Sequence, residues 1–140
     1  MKQASRLFLT LAFALCTASV SAQEIKALYH VNTGVESAAA ILNNINNHLK
    51  ADPKARIVVV THGAGIDFML DGAKDSKGRE FSGQVSALAA RGVRFEVCSN
   101  TLESRQLSPS SLLMEAKVVP SGVAEVARLQ AKEGFAYLKP

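Results

Sequence analysis

Arg56-Ile57-Val58-Val59-Val60-Thr61-His62-Gly63 is the stretch that decides the fold. Four consecutive β-branched residues, Ile57 to Val60, leave no polar face for solvent, so the run reads as a strand buried on both sides. Such a strand belongs in a parallel sheet whose two faces are covered by helices. Working outward, Ile25-Lys26-Ala27-Leu28-Tyr29-His30-Val31 is an earlier β-rich run and Val93-Arg94-Phe95-Glu96-Val97-Cys98 a later one. Lys117-Val118-Val119 is a brief fourth strand and Phe135-Ala136-Tyr137-Leu138 a fifth.

Segments of helical period separate these runs. Val35, Ala38, Ala39, Ile41, Leu42, Ile45 and Leu49 share one stripe, with asparagines at 43, 44, 46 and 47 mostly on the other. Thr33 followed by Glu36 has the spacing of a capping box at that helix's start. A helix ending near Gly92 carries Phe81, Val85, Leu88 and Ala89, and one from Ser121 to Gly134 carries Val123, Val126, Ala127 and Ala131 as its apolar stripe. Alternating strands and helices predict a three-layer α/β/α domain with a mainly parallel sheet of four or five strands. Ile66 to Leu70 fits a short helix, and Asp71 to Glu80 a polar exposed loop, either a solvated connector or a lid beside the sheet edge.

The chain has 140 residues, 48% hydrophobic, too apolar for disorder and too short for two full domains. Part of that apolar content lies at the start. Lys2 and Arg6 precede the run Leu7 to Leu15, and Ser19-Val20-Ser21-Ala22 follows, the layout of a secretory signal peptide cut after Ala22. The run is short of the roughly 20 apolar residues that span a bilayer, leaving an uncleaved anchor as the alternative. Cys16 does not make it a lipoprotein signal, because Leu15 stands where that motif needs a small residue. Cleavage predicts one mature domain over residues 23–140, periplasmic in a cell with two membranes, with no membrane segment of its own. Lys2 and Arg6 leave with the signal, so the formal charge of +4 falls to +2, with both signs interspersed. Nucleic acid, which needs a clustered basic stripe, is excluded as a partner.

Cysteine usage narrows the chemistry. Cys16 departs with the signal, so Cys98 is the single mature thiol and no internal disulfide can form. In an oxidising compartment a lone cysteine is buried and inert, paired with another chain, or kept for its chemistry. Ligands of open parallel sheets bind outside the carboxyl ends of the strands. There the chain places His30 and Asn32, then His62 and Gly63, then Cys98, Ser99 and Asn100, then Pro120-Ser121-Gly122. Asn100 suits the cap of a helix starting at Thr101, with Glu103 as its partner, which puts the thiol at a helix N-terminus where thiolate is favoured. Arg105, turned back, would strengthen the effect. His48 falls on the polar side of its helix and reads as solvated.

Other chemistries fit less well. His30, His62 and Cys98 are metal-ligand types, but no CxxC or HxxxH spacing accompanies them, so no metal is assigned. Gly63-Ala64-Gly65-Ile66-Asp67-Phe68 has phenylalanine where a dinucleotide loop needs its third glycine, no phosphate loop is present, and no cofactor is expected. A thioredoxin-type cycle lacks a resolving cysteine. A serine hydrolase lacks GxSxG.

Three segments, Val58 to Ile66, Gly92 to Leu102 and Val118-Val119-Pro120-Ser121-Gly122-Val123, together resemble the exported branch of the DsrE/DsrF-like family. The resemblance spans nearly all of residues 24–140. It implies a small parallel α/β fold, homo- or hetero-oligomers and, from the cytoplasmic members, a cysteine that carries sulfur as a persulfide between partner proteins. Cys98 matches that cysteine's place after the third strand. The expectation is therefore an exported sulfur carrier or sulfurtransferase-like protein with Cys98 as the reacting group. Its binding residues would be His30, Asn32, His62, Gly63, Ser99, Asn100, Thr101 and Arg105, and its partners a sulfur donor or acceptor protein and further copies of itself. The alternative is a non-catalytic oligomeric domain that binds a small ligand or metal at the same edge.

Overall fold

The computed structural model describes residues 24–140. The segment read as a signal peptide and the proposed first mature residue, Gln23, lie outside the described residues. The elements run β1 (Lys26–Val31), α1 (Val35–Ala51), β2 (Arg56–Thr61), α2 (Ser82–Ala89), β3 (Arg94–Cys98), α3 (Ser99–Ser104), β4 (Ala116–Val119), α4 (Gly122–Glu133) and β5 (Ala136–Leu138). All five strands pair in parallel, in the order β4-β3-β2-β1-β5.

The strand order dictates where the helices lie. From β1 to β4 the chain steps repeatedly toward one edge, and right-handed crossovers keep α1, α2 and α3 on a single face. The return from β4 to β5 reverses direction and sends α4 to the opposite face. Residue alternation agrees. Tyr29, Ile57, Val59, Phe95 and Val97 join a large core with Ile41, Leu42, Ile45 and Leu49 of α1 and Val85 and Leu88 of α2. Leu28, Val58 and Val60 point the other way, to a small cluster closed by Leu129 and Phe135, with Val126 against it.

Local details depart from expectation in four places. Helix α1 starts one residue later than a Thr33 cap requires: Gly34 is the N-cap, and Thr33 Oγ1 lies 2.5 Å from Ser37 Oγ. Only the return half of the box forms, Gly34 N–H donating to Glu36 Oε1 at 3.1 Å. Gly63–Met69 is a 3-10 turn, and the loop after it is pinned by Asp75, whose Oδ1 accepts from the backbone N–H of Lys77 and Arg79. His48 is half-buried with its Nδ1 2.9 Å from Tyr29 OH, so it packs over the sheet and is not simply solvated. In α4 the expected stripe holds for Val126 alone. Gly122, Val126 and Leu129 face the sheet, whereas Ala127 and Ala131 are exposed and Val123 is 63% exposed.

Candidate functional site

Cys98 closes β3 on the α4 face, since Phe95 and Val97 point to the other. Its neighbours in the sheet decide its setting. After β3 the chain turns into α3 on the α1 face, where Leu102 is buried; after the adjacent β4 it turns into α4 on the opposite face. Two neighbouring strands whose exits diverge open a crevice at their carboxyl ends, the usual ligand position in such sheets. Cys98 lies in that crevice.

The thiol is 5% exposed and ringed by donors. Burial alone would push it up; the backbone N–H of Gly122, the hydroxyl and N–H of Thr101 and the N–H of Asn100 outweigh burial, and the thiol lies below its ordinary value. These are donors from the first turns of two helices, converging on one sulfur. A Cβ on Gly122 would stand 3.1 Å from His62 Cβ and 3.2 Å from Cys98 Cβ, a tight fit that both neighbours would have to yield to by a few tenths of an ångström. Thr101 does two jobs, since its Oγ1 also accepts from Gly63 N–H at 3.0 Å. Gly63 holds a φ of +57°, which an L side chain adopts only with strain. The turn after β2 is thereby tied to the thiol.

The cap of α3 is Cys98 itself. Asn100 is therefore not the N-cap; it sits inside the helix with an exposed side chain and contributes its backbone N–H alone. Ser99 Oγ donates to Glu103 Oε1 at 3.0 Å, away from the sulfur. Arg105 does not turn back to Cys98. Its Nη1 lies 2.6 Å from Asp67 Oδ1 and 3.4 Å from Gly63 O, bracing the 3-10 turn. Asn32 is half-buried just past β1 and makes no side-chain hydrogen bond among the described residues.

The two histidines come together. His30 Nε2 and His62 Nε2 are 2.6 Å apart, the rings stacked at 4.8 Å and 27°. His30 Nδ1 meets Tyr137 OH at 2.7 Å. Both imidazoles lie below their ordinary value, chiefly from burial, with Lys139 adding to each and His62 adding to His30. No group of three or more metal-ligating side chains forms among the described residues.

A second polar cluster sits behind the thiol on the same face of β3. Glu96 is fully buried, with Arg94 Nη2 at 3.7 Å and Lys117 Nζ at 3.5 Å from its Oε1. Those distances give its oxygens no hydrogen-bond donor. Burial first, then the Glu125 charge, raise Glu96, while Arg128 holds Glu125 down through paired contacts of 2.8 and 2.5 Å. Burial and the Glu125 charge thus favour the protonated form of Glu96, which has no hydrogen-bond partner among the described residues.

Sequence reasoning missed Gly122 as a donor, Tyr137, Lys139 and the Glu96–Glu125 pair. The Pro120-Ser121-Gly122 turn carried a signal for the first, being a strand end that opens a helix. Nothing marked Tyr137, whose role depends on β5 pairing beside β1, Tyr137 opposite Leu28.

With this geometry in view, the profile of the DsrE/DsrF-like family matches residues 2–140. The chain belongs to the DsrE/DsrF-like family. Among solved structures it resembles MTH1491, a protein of unknown function from Methanobacterium thermoautotrophicum, at 33% identity and a TM-score of 0.75 over 84% of this chain and 100% of that one. It also shares its fold with the ychN protein of E. coli, at 16% identity and a TM-score of 0.65 over 84% of this chain and 98% of that one. No curated protein matches. Membership in the family relates the chain to sulfur-relay proteins.

Proposed function

We propose that this protein is an exported sulfur carrier in which the Cys98 thiolate takes up sulfane sulfur and holds it as a persulfide. The supporting observation is the convergence of the Gly122, Thr101 and Asn100 donors on one sulfur. A thiolate is the nucleophile in such exchanges, and donors fixed around it favour the anion without a metal. In the step, Cys98 Sγ bonds to the outer sulfur of the donor, the donor's S–S bond breaks, and its electron pair leaves with the inner sulfur. Export is supported by the charged start, apolar run and Val20-Ser21-Ala22 ending, and N-terminal sequencing of the exported protein should begin at Gln23. Self-association is supported by the exposed Val123, Ala127 and Ala131 of α4 beside an open groove of about 640 Å³. Light scattering should give a mass above that of one chain at micromolar concentration.

Mass spectrometry of the protein after polysulfide or thiosulfate tests the carrier. One added sulfur on Cys98, absent in Cys98→Ser of intact fold, is the expected result. A second reading, a non-catalytic binding domain with a packed cysteine, draws on the 5% exposure of Cys98. It requires that Cys98 stay unmodified until denaturant is added.

A further inference from the structure

We propose that Tyr137, His30 and His62 form a proton relay that protonates the group leaving at Cys98, so that the site takes sulfur from hydropersulfides of basic thiols. The inference rests on the sulfur-carrier reading for its use; the relay itself rests on geometry. Three strands contribute one member each, Tyr137 from β5, His30 from β1 and His62 after β2, joined by contacts of 2.7 and 2.6 Å.

Two facing Nε2 atoms at 2.6 Å accommodate one hydrogen between them. That condition couples the tautomers. When Tyr137 donates to His30 Nδ1, His30 donates from Nε2 to His62 Nε2, and His62 carries its hydrogen on Nδ1. When the chain runs the other way, His62 donates to His30, His30 donates to Tyr137, and His62 Nδ1 is bare. Switching between the two passes one proton in at one end and one out at the other. The outer end reaches solvent, because Tyr137 is 42% exposed. The inner end is His62 Nδ1, which has no protein partner among the described residues and is the ring nitrogen nearer Cβ, the atom that flanks Gly122 together with Cys98 Cβ. Burial and the Lys139 charge disfavour the imidazolium form of both rings, and His62 adds to this at His30.

The balance closes. Cys98 thiolate attacks the outer sulfur of R–S–SH, the S–S bond breaks, and RS⁻ departs with the electron pair. His62 Nδ1–H protonates it to RSH while the relay shifts one step. The new Cys98–S–SH then returns its proton to the bare Nδ1, which resets the relay and leaves a persulfide anion beside the Gly122 and Thr101 donors. An alkyl thiolate, with a pKa near about 8.5, leaves poorly without that proton. An aryl thiolate, far less basic, has little need of it.

The test compares loading of Cys98 from an alkyl and an aryl hydropersulfide at pH 7 in wild type, Tyr137→Phe and His30→Gln. Removing a general acid costs about 10²–10⁴-fold where it is needed, so alkyl loading should slow by at least about 10-fold in both variants and aryl loading far less. Equal slowing with both donors, or none, overturns the relay as proton source. Ring-nitrogen NMR supplies a readout free of sulfur: Tyr137→Phe should shift the nitrogen signals of His62, which Tyr137 does not touch. Unmoved His62 signals overturn the relay whatever the sulfur chemistry does. Wild-type protein that loads from neither donor overturns the carrier reading and the relay's use in it, while shifted His62 signals would still establish the coupled chain.

Discussion

The two faces of the sheet are built from different materials. The face under α1, α2 and α3 carries more than twenty buried apolar residues, among them Phe68, Phe95 and Met69, and its polar atoms are few. The face under α4 carries five, held by Leu129 and Phe135, and beside them a buried carboxyl, two stacked imidazoles and a thiol. One helix covers where the other face has three. The difference teaches a division of labour: dense apolar packing on one face carries stability, which lets the other hold polar groups whose burial is unfavourable.

Substitutions on each face should separate the two roles. Phe95→Ala, on the thick face, should cost about 3–5 kcal/mol in urea unfolding and leave the pH midpoint of Cys98 alkylation where it was. Leu129→Ala, on the thin face, should cost about 2–5 kcal/mol. It should also raise that midpoint, because α4 carries the Gly122 N–H that lowers the thiol. A midpoint unmoved by Leu129→Ala, or moved equally by Phe95→Ala, breaks the comparison.

Smaller changes sharpen it. Thr101→Val deprives Gly63 N–H of its acceptor and Cys98 of a donor. It should cost about 1–3 kcal/mol and move alkylation toward the ordinary thiol value of about 8.5. The sign follows from linkage: the folded thiol lies below its unfolded value, so its contribution is present above that unfolded value and fades as pH falls through the folded one. Glu96 has the opposite sign. Its raised folded value gives stability that is full below the ordinary carboxyl value and is lost as pH rises through the folded value. One proton corresponds to at most about 1.4 kcal/mol per pH unit in that window, and Glu96→Gln should flatten the slope in urea titrations at successive pH values. Val123→Ser should change the monomer's stability by less than about 0.5 kcal/mol while lowering the mass seen by light scattering.

Much of the thick face was legible because its signal is redundant. Ile57 to Val60 on β2, and Ile41, Leu42, Ile45 and Leu49 on α1, repeat the same period many times, so no single residue decides the assignment. Caps were less legible, because they turn on one residue. Gly34 stands where Thr33 was expected and Cys98 where Asn100 was, since backbone dihedrals and not residue preference choose the capping position. The stripe of α4 was misread for a related reason. The expected stripe grouped Val126 with Val123, Ala127 and Ala131, and only the docking of α4 through Gly122 sets Val126 beside the buried Leu129 and leaves the other three exposed.

Local chemistry by itself determined the strands, the parallel α/β class and the sheet edge to which His30, His62 and Cys98 belong. Those follow from side-chain period and residue type, properties of near neighbours along the chain. Tertiary structure alone decided that Gly122 from α4 donates to Cys98, that Arg105 goes to Asp67, that Tyr137 closes on His30 and that the Glu125 charge acts on the buried Glu96. Each of those contacts joins different elements, and 107 residues separate Tyr137 from His30. Their partners are chosen by strand order and by the face α4 occupies, quantities that no local pattern encodes.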